Sequence, residues 1–287
     1  MQTEHNVDLS KKVTFRIGGI AENFYIPESV EDLKELVIKL GSDNKYYILS
    51  GGSNLIINDS KKFENVIFMG KTDTSIEDNG NGCFYAGASV RIQKLLSAVN
   101  EKGYGGFEEL VGLPALMGGI IYMNAGIGGR TNAIFNIADF VKRVKVIDKS
   151  TAEIKWINHD DCGFDYRTSV FQKDNYIILG VELQLNEQSK EESDMRIKKR
   201  KEYCKQNQEW GKGCFGTCFC KSSKKILKFV GMLHLHKGGV RQAKNNNNWL
   251  VNDGSGTYAD AMWIINLCKK LHKLFNKKIR CEVIIWD

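Results

Sequence analysis

From residue 30 onward the apolar positions Val30, Leu33, Leu36, Val37 and Leu40 recur at three- and four-residue steps, the spacing of one helix face. Ser29 stands where it can cap the first turn. The period then shortens. Residues 46–49, 55–57 and 66–68 are brief apolar runs, which predict buried strands. A helix is predicted near 92–99, and strands at 144–147 and 177–185. Over 189–204 the composition turns polar and charged, and a helix linking two domains is expected there. A short helix follows near 226–230. A longer one starts at Thr257, with Asp260 three residues on and Ile264, Leu267, Cys268, Leu271 and Leu274 on one face. The closing run 279–285 reads as one strand, with Cys281, Val283 and Ile285 on one side and Glu282 and Ile284 on the other.

Mixed helices and strands of this kind indicate α+β or α/β layering. No Gly-x-Gly-x-x-Gly follows the first strand, so a simple dinucleotide fold is not expected. The 287 residues suffice for two ordinary domains, and 42% hydrophobic, 26% charged and 10% aromatic content fits a globular chain with a core. Only Pro27 and Pro114 break the chain as prolines, so the 28 glycines carry most of the punctuation. The run Asn245-Asn246-Asn247-Asn248 is too short to be a disordered tract.

The net charge of +7 draws on residues 196–201, on Lys221, Lys224 and Lys225, and on the 269–278 stretch. Solvated helix faces account for such clusters. Attraction of an anionic small molecule is the sharper reading. No nucleic-acid motif accompanies the charge and no apolar stretch approaches bilayer length, so neither nucleic acid nor a membrane is expected as a partner. The start Met1-Gln2-Thr3-Glu4-His5 is polar and lacks the marks of a secretory signal, so the eight cysteines are read as free thiols in a reducing cytoplasm. Cys214-x3-Cys218-x-Cys220 has no second Cys or His pair at zinc spacing, and no metal is expected.

Two glycine-rich segments carry the candidate chemistry. Ser50-Gly51-Gly52-Ser53-Asn54 follows a predicted strand, and its glycines allow a tight turn and close approach of a ligand. Backbone N–H groups, with the Ser53 hydroxyl and the Asn54 amide, can form an anion-binding concavity there. A plain turn is the alternative. Residues 112–126 form the second, with Gly112, Gly118, Gly119 and Gly126, and Gly128 just beyond. A buried small-residue packing segment is its alternative. Two such loops in one chain fit a long bent ligand such as a dinucleotide.

The chain resembles the UDP-N-acetylenolpyruvoylglucosamine reductase family. The resemblance rests on Thr14-Phe15-Arg16-Ile17-Gly18-Gly19, Gly51-Gly52-Ser53-Asn54-Leu55, and Gly118-Gly119-Ile120-Ile121-Tyr122-Met123-Asn124-Ala125-Gly126. Gly163-Phe164-Asp165-Tyr166-Arg167-Thr168-Ser169-Val170-Phe171 and the terminal Glu282-Val283-Ile284-Ile285 complete it, in the family's order and spacing. It implies an α+β protein with an FAD-binding fold of the vanillyl-alcohol-oxidase type. Two FAD-binding subdomains, 1–75 and 76–188, would precede a substrate domain at 189–287. The implied cofactors are FAD and NADPH. Ser53 stands where covalent flavin attachment in the wider superfamily often uses His, so non-covalent FAD is implied. FAD would be held by Gly51, Gly52, Ser53, Asn54, Leu55, Gly118, Gly119, Tyr122, Asn124, Ala125 and Gly126. The implied reaction reduces an enolpyruvyl group on a UDP-linked amino sugar, for peptidoglycan, with Tyr166, Arg167 and Asn248 on the substrate. A cytoplasmic monomer is expected.

Hydride addition to an enol ether conjugated to a carboxylate leaves negative charge on the neighbouring carbon, so a cation, a hydrogen-bond donor and a proton source are needed. Arg167 can grip a carboxylate with parallel hydrogen bonds, or be a structural ion pair. Glu282 can serve if its surroundings keep it protonated, or be an edge-strand carboxylate. The family's proton donor is a Ser in a Gly-Ser loop, and Thr217, after Gly216 and before Cys218-Phe219, takes that position here. Its extra methyl stiffens and crowds the side chain. Cys214 or Cys218 is the donor if the alignment slips. Ala243 and Asn246 replace the family's Ser and His, and Ala115-Leu116 replace a Gly and a small polar residue. Two other readings remain: a related flavoenzyme acting on another substrate, and a catalytically silent flavin-binding protein.

Overall fold

The computed structural model describes the chain except for residues 42–43, 129–133 and 174. It forms two compact units. The first comprises Met1–Glu4, Asn23–Gly51 and Glu64–Tyr203. Helix α1, Val30–Leu40, opens as its sequence predicts: the Asp32 N–H donates to the Ser29 hydroxyl at 3.0 Å. Leu33, Leu36, Val37 and Leu40 are buried, and Gly41, at φ +64°, ends the helix. The strand Tyr47–Leu49 runs parallel to residues 66–68, with Ile48 opposite Ile67.

A five-stranded antiparallel sheet fills the rest of this unit. Its order is Ile154–Asn158, Val141–Asp148, Tyr176–Gln184, Cys83–Gly87, Ile76–Asp78. Helices α2, Ile92–Asn100, and α3, Met117–Tyr122, share its core through Leu95, Leu96, Val99, Met117, Ile120 and Ile121. The expected second glycine loop is therefore partly helix. Gly118 and Gly119 lie in the first turn of α3.

Helix α4, Lys190–Asn207, is where a charged helix is predicted, and it lacks an apolar stripe. Polar contacts hold it instead. Arg196 is bound to both oxygens of Glu109, at 3.0 and 2.8 Å, and to fully buried Glu108 at 2.9 Å. It also donates to Gln188 and to the Gly106 carbonyl. One member of the basic run is thus a half-buried clamp rather than a solvated charge.

The second unit comprises His5–Glu22, Gly52–Phe63 and Cys204–Asp287. Its antiparallel sheet has the order Gly213–Thr217, Trp249–Asn252, Val240–Gln242, His236–Lys237. Helices α5, Lys224–Met232, and α6, Tyr258–Leu274, share a core with Phe15, Ile17, Phe215 and Leu250. Thr257 and Asp260 form a reciprocal capping box at the start of α6. The buried face of α6 is Ala261, Ile264, Ile265, Cys268 and His272, so Leu274 departs from expectation and is 74% exposed.

The chain end also differs from the single predicted strand. Arg280–Cys281 pairs antiparallel with Phe219–Lys221, while Ile284–Trp286 pairs parallel with Leu55–Ile57. The two halves serve different partners, so the strand breaks at Glu282 and Val283. The eight cysteines are free thiols.

Candidate functional site

In the first unit the site residues are gathered by one guanidinium. Asp165 and Thr168 exchange backbone hydrogen bonds of 3.1 and 3.0 Å, which makes Tyr166 and Arg167 the centre of a tight turn. Arg167 has φ +56°, a conformation that non-glycine residues rarely adopt outside functional or tightly constrained turns. Its Nη1 donates to the Asn124 carbonyl at 3.2 Å and its Nη2 to the Gly126 carbonyl at 2.7 Å. The guanidinium also lies over the Tyr166 ring, 4.9 Å from its centre. Asn124 shares the left-handed backbone, at φ +42°, and is buried. Its amide donates to the Asp165 carbonyl at 3.0 Å and accepts from the Ala138 N–H at 3.1 Å. Asn124 is thus a clamp between two segments. The Tyr122 carbonyl accepts from Ser169 and Gln172.

Four of the glycines of this unit singled out from the sequence are sites of close approach. A Cβ on Gly51 would stand 3.2–3.3 Å from Pro114 O, Ala115 Cα and Leu116 N. One on Gly118 would stand 3.2 Å from the Ala88 methyl, and one on Gly119 the same distance from the Ser50 hydroxyl. Gly126 is the tightest of these four, with Phe135 O only 2.3 Å from the Cβ position.

In the second unit Gly52 has φ +61°, and a Cβ there would meet the Lys12 carbonyl at 2.5 Å. The Gly52 carbonyl accepts from the Thr14 N–H at 3.0 Å. The backbone N–H groups of Gly52, Ser53 and Asn54 find no acceptor among the described residues. Three successive N–H groups in a left-handed turn form the kind of concavity that takes a phosphate oxygen. Leu55 is buried and pairs with Ile284.

Asn54 connects this loop to the chain end. Its amide donates to the Glu282 carbonyl at 3.2 Å, and its own carbonyl accepts from the Ile284 N–H at 3.2 Å. The Glu282 N–H in turn donates to the Cys218 carbonyl at 2.8 Å. Glu282, half-buried at the strand break, is therefore fixed beside the residue that follows Thr217. Thr217 is half-buried at the end of its strand, opposite Trp249, whose Nε1–H donates to the Thr217 hydroxyl at 3.3 Å. Asn248 is committed to the same loop: its amide accepts from the Phe219 N–H at 3.0 Å and donates to the Phe219 carbonyl at 2.8 Å. The Asn-rich run is a turn built by side-chain mimicry, with Asn246 Oδ1 accepting from the Asn248 N–H at 2.9 Å.

The two thiols that are alternatives to Thr217 are buried to different degrees. Cys218 is 1% exposed in the apolar core, and burial holds its thiol well above the usual range. Burial also raises Cys214, whose sulfur accepts from the Gly216 N–H at 3.3 Å. Trp249 was not singled out by sequence reasoning, because its partnership with Thr217 comes from strand register, which one sequence does not display.

Residues 21–158 match the family model described as an FAD binding domain. A UDP-N-acetylenolpyruvoylglucosamine reductase of Carboxydothermus hydrogenoformans is 31% identical over 97% of this chain and 92% of that protein. The protein of the same name from Bacillus subtilis is 27% identical over 92% of this chain and 87% of its own length. The crystal structure of UDP-N-acetylenolpyruvylglucosamine reductase from Thermus caldophilus superimposes with a TM-score of 0.81 at 23% identity, covering all of both chains. The α+β fold with its FAD-binding domain is that of these proteins.

Proposed function

The chain belongs to the UDP-N-acetylenolpyruvoylglucosamine reductase family, and we propose that it uses NADPH to reduce the enolpyruvyl group of UDP-N-acetylglucosamine enolpyruvate, giving UDP-N-acetylmuramate. The end-to-end likeness to reductases of that name carries this reading. The activity is that of an FAD-containing oxidoreductase of peptidoglycan precursor synthesis. This reading keeps cofactor-binding subdomains at 1–75 and 76–188 and a substrate domain at 189–287, and the FAD-binding match over residues 21–158 falls within the first two. Free thiols suit a reducing cytoplasm. A nucleotide sugar is the expected small-molecule partner of a monomer.

The local geometry fits FAD. Gly52, Ser53 and Asn54 offer consecutive backbone donors to an anionic oxygen, and Leu55 anchors their loop in a strand. Gly51, Gly118, Gly119, Tyr122, Asn124, Ala125 and Gly126 are the other residues proposed to hold FAD. FAD held there would supply the chemistry of hydride transfer, from NADPH to the terminal carbon of the enolpyruvyl double bond. Arg167, oriented by the Asn124 and Gly126 carbonyls and the Tyr166 ring, binds the substrate carboxylate into which negative charge spreads. The Thr217 hydroxyl gives the proton to the neighbouring carbon. The Trp249 N–H eases the charge left on its oxygen. Glu282, held beside the Thr217 loop by its main-chain bond to Cys218, is the second proposed acid. Asn248 keeps the Thr217 loop in place.

The test is a flavin spectrum of the purified protein, followed by NADPH oxidation with and without the enolpyruvyl nucleotide sugar. Bound FAD and substrate-dependent NADPH oxidation are expected. Bound FAD with no response to that sugar points to the related flavoenzyme of other substrate, and absence of flavin binding removes the reading.

A further inference from the structure

The positive charge of the chain is segregated. Residues 210–287 hold fourteen Lys and Arg against four Asp and Glu, so they carry about +10, while the rest of the sequence is slightly acidic. Between residues 221 and 252, and again between 261 and 281, there is no acidic residue. These segments contain α5 and the greater part of α6, both in the second unit. The two helices are joined at one corner. The Ser223 N–H, just before α5, donates to Nε2 of buried His272 in the last turn of α6 at 2.9 Å.

Both helices carry exposed lysines beside exposed apolar side chains. On α5, Lys225, Lys228, Phe229 and Met232 stand at i, i+3, i+4 and i+7 and are exposed. At the end of α6, Lys270, Lys273 and Leu274 stand at i, i+3 and i+4 and are also exposed, and exposed Lys277 follows just beyond the helix. Met232 is 59% exposed, Leu274 74% and Phe275 58%, and Leu233 extends the apolar ridge of α5 at 49%. The core faces of both helices are separate and already filled by Ile226, Leu227, Val230, Ile264 and Cys268. Burial in the core therefore does not explain the outward apolar side chains.

We propose that this corner is a docking surface for the anionic face of a lipid bilayer. Lysines suit it: the long stem reaches a headgroup phosphate while the neighbouring Phe229, Met232, Leu274 and Phe275 enter the headgroup–acyl boundary. The absence of acidic residues along both segments matches a surface that is negative everywhere rather than a protein with mixed charge. Among the described residues no helix is long and apolar enough to cross a membrane, so the contact is peripheral. This departs from the sequence expectation of no membrane partner.

The test uses the FAD-loaded full chain and sedimentation with vesicles of phosphatidylcholine, with or without 30% phosphatidylglycerol. At low salt the anionic vesicles are expected to bind at least tenfold tighter than the neutral ones, and 0.5 M KCl should abolish the difference. Lys273→Glu with Lys277→Glu should lower binding at least tenfold. Leu274→Ser with Phe229→Ser should lower binding to vesicles several-fold while leaving binding to soluble heparin unchanged. Unaltered flavin absorbance and thermal midpoint establish that these variants are folded. Equal binding to neutral and anionic vesicles overturns the proposal. So does wild-type vesicle binding by the serine variant, which would mean that any polyanion suffices. Loss of concentration-dependent self-association in that variant, with vesicle binding absent throughout, assigns the patch to a second copy of the chain and also overturns it.

Discussion

The backbone N–H of Glu282 donates to the carbonyl of Cys218 at 2.8 Å, bringing the residue after Thr217 to the residue proposed as the second acid, 64 positions later in the chain. The break in the terminal strand makes this contact available. Arg280–Cys281 is still paired with Phe219–Lys221 when the chain turns to join Leu55–Ile57, and Glu282 sits at the turn. Two proposed catalytic groups are thus held by main-chain bonds that their side-chain substitutions do not remove.

Thr217→Ala should therefore fold and bind flavin normally. Reduction of the flavin by NADPH is expected to stay within about twofold of wild type, while reoxidation by substrate slows by roughly 10²–10⁴, the range of a lost general acid. Thr217→Ser should keep the reaction. Trp249→Phe, which removes the donor to the Thr217 hydroxyl, should slow the same half-reaction by about tenfold. Stopped-flow absorbance of the flavin reads both halves separately.

Gly52→Ala addresses the cofactor loop. The residue needs φ +61°, and a Cβ would lie 2.5 Å from the Lys12 carbonyl. The turn must shift, at a cost of roughly 1–3 kcal/mol of strain. Loss of tightly bound flavin on gel filtration is expected, whereas Gly80→Ala, where no neighbour lies within 4 Å, should retain it.

Asn248→Ala should lower stability by about 2 kcal/mol, because two hydrogen bonds to the Phe219 backbone are lost together. The thermal midpoint measures this. Substrate affinity should fall with it, since the Thr217 loop loses its brace.

The Glu209–Arg241 pair gives a pH dependence. The Arg241 guanidinium, bonded to the carboxylate at 3.1 Å, holds Glu209 down to about 2, and the Lys244 N–H assists at 2.8 Å. Because the folded value is depressed, this stabilisation is complete above the unfolded value near 4.5 and is lost as the pH falls toward about 2. Arg241→Met should cost about 2 kcal/mol at pH 7, and the gap in thermal midpoint should narrow between pH 5 and pH 3.

Much of the fold is legible in the sequence where local physics decides it. Ser29 and Thr257 announce their helices because an N-cap is a local hydrogen bond, and both caps form. The terminal strand is different: its apolar alternation is real, but a switch of partner at Glu282 breaks it, and partners are non-local. Helix α4 shows the same limit. Nothing in the run 196–201 marks Arg196 as the member that clamps, because Glu108 and Glu109 lie almost ninety residues earlier. The strand Gln2–Asp8 has no apolar alternation to reveal it. In the site, the glycines and Arg167 were visible as residue types. The roles of Asn124 and Trp249 were not, since each depends on a contact across the fold.

The central claim is that Arg167, Thr217 and Glu282 act on the enolpyruvyl substrate and not on the reduction of the flavin. The most direct measurement is anaerobic single-turnover kinetics of Glu282→Gln and Arg167→Met, mixing NADPH with the oxidised protein and then the enolpyruvyl nucleotide sugar with the reduced protein. Flavin reduction should proceed at nearly the wild-type rate in both variants, and reoxidation by the sugar should be slowed at least a hundredfold. Wild-type reoxidation in either variant, or an equal loss in both halves, would contradict the assignment.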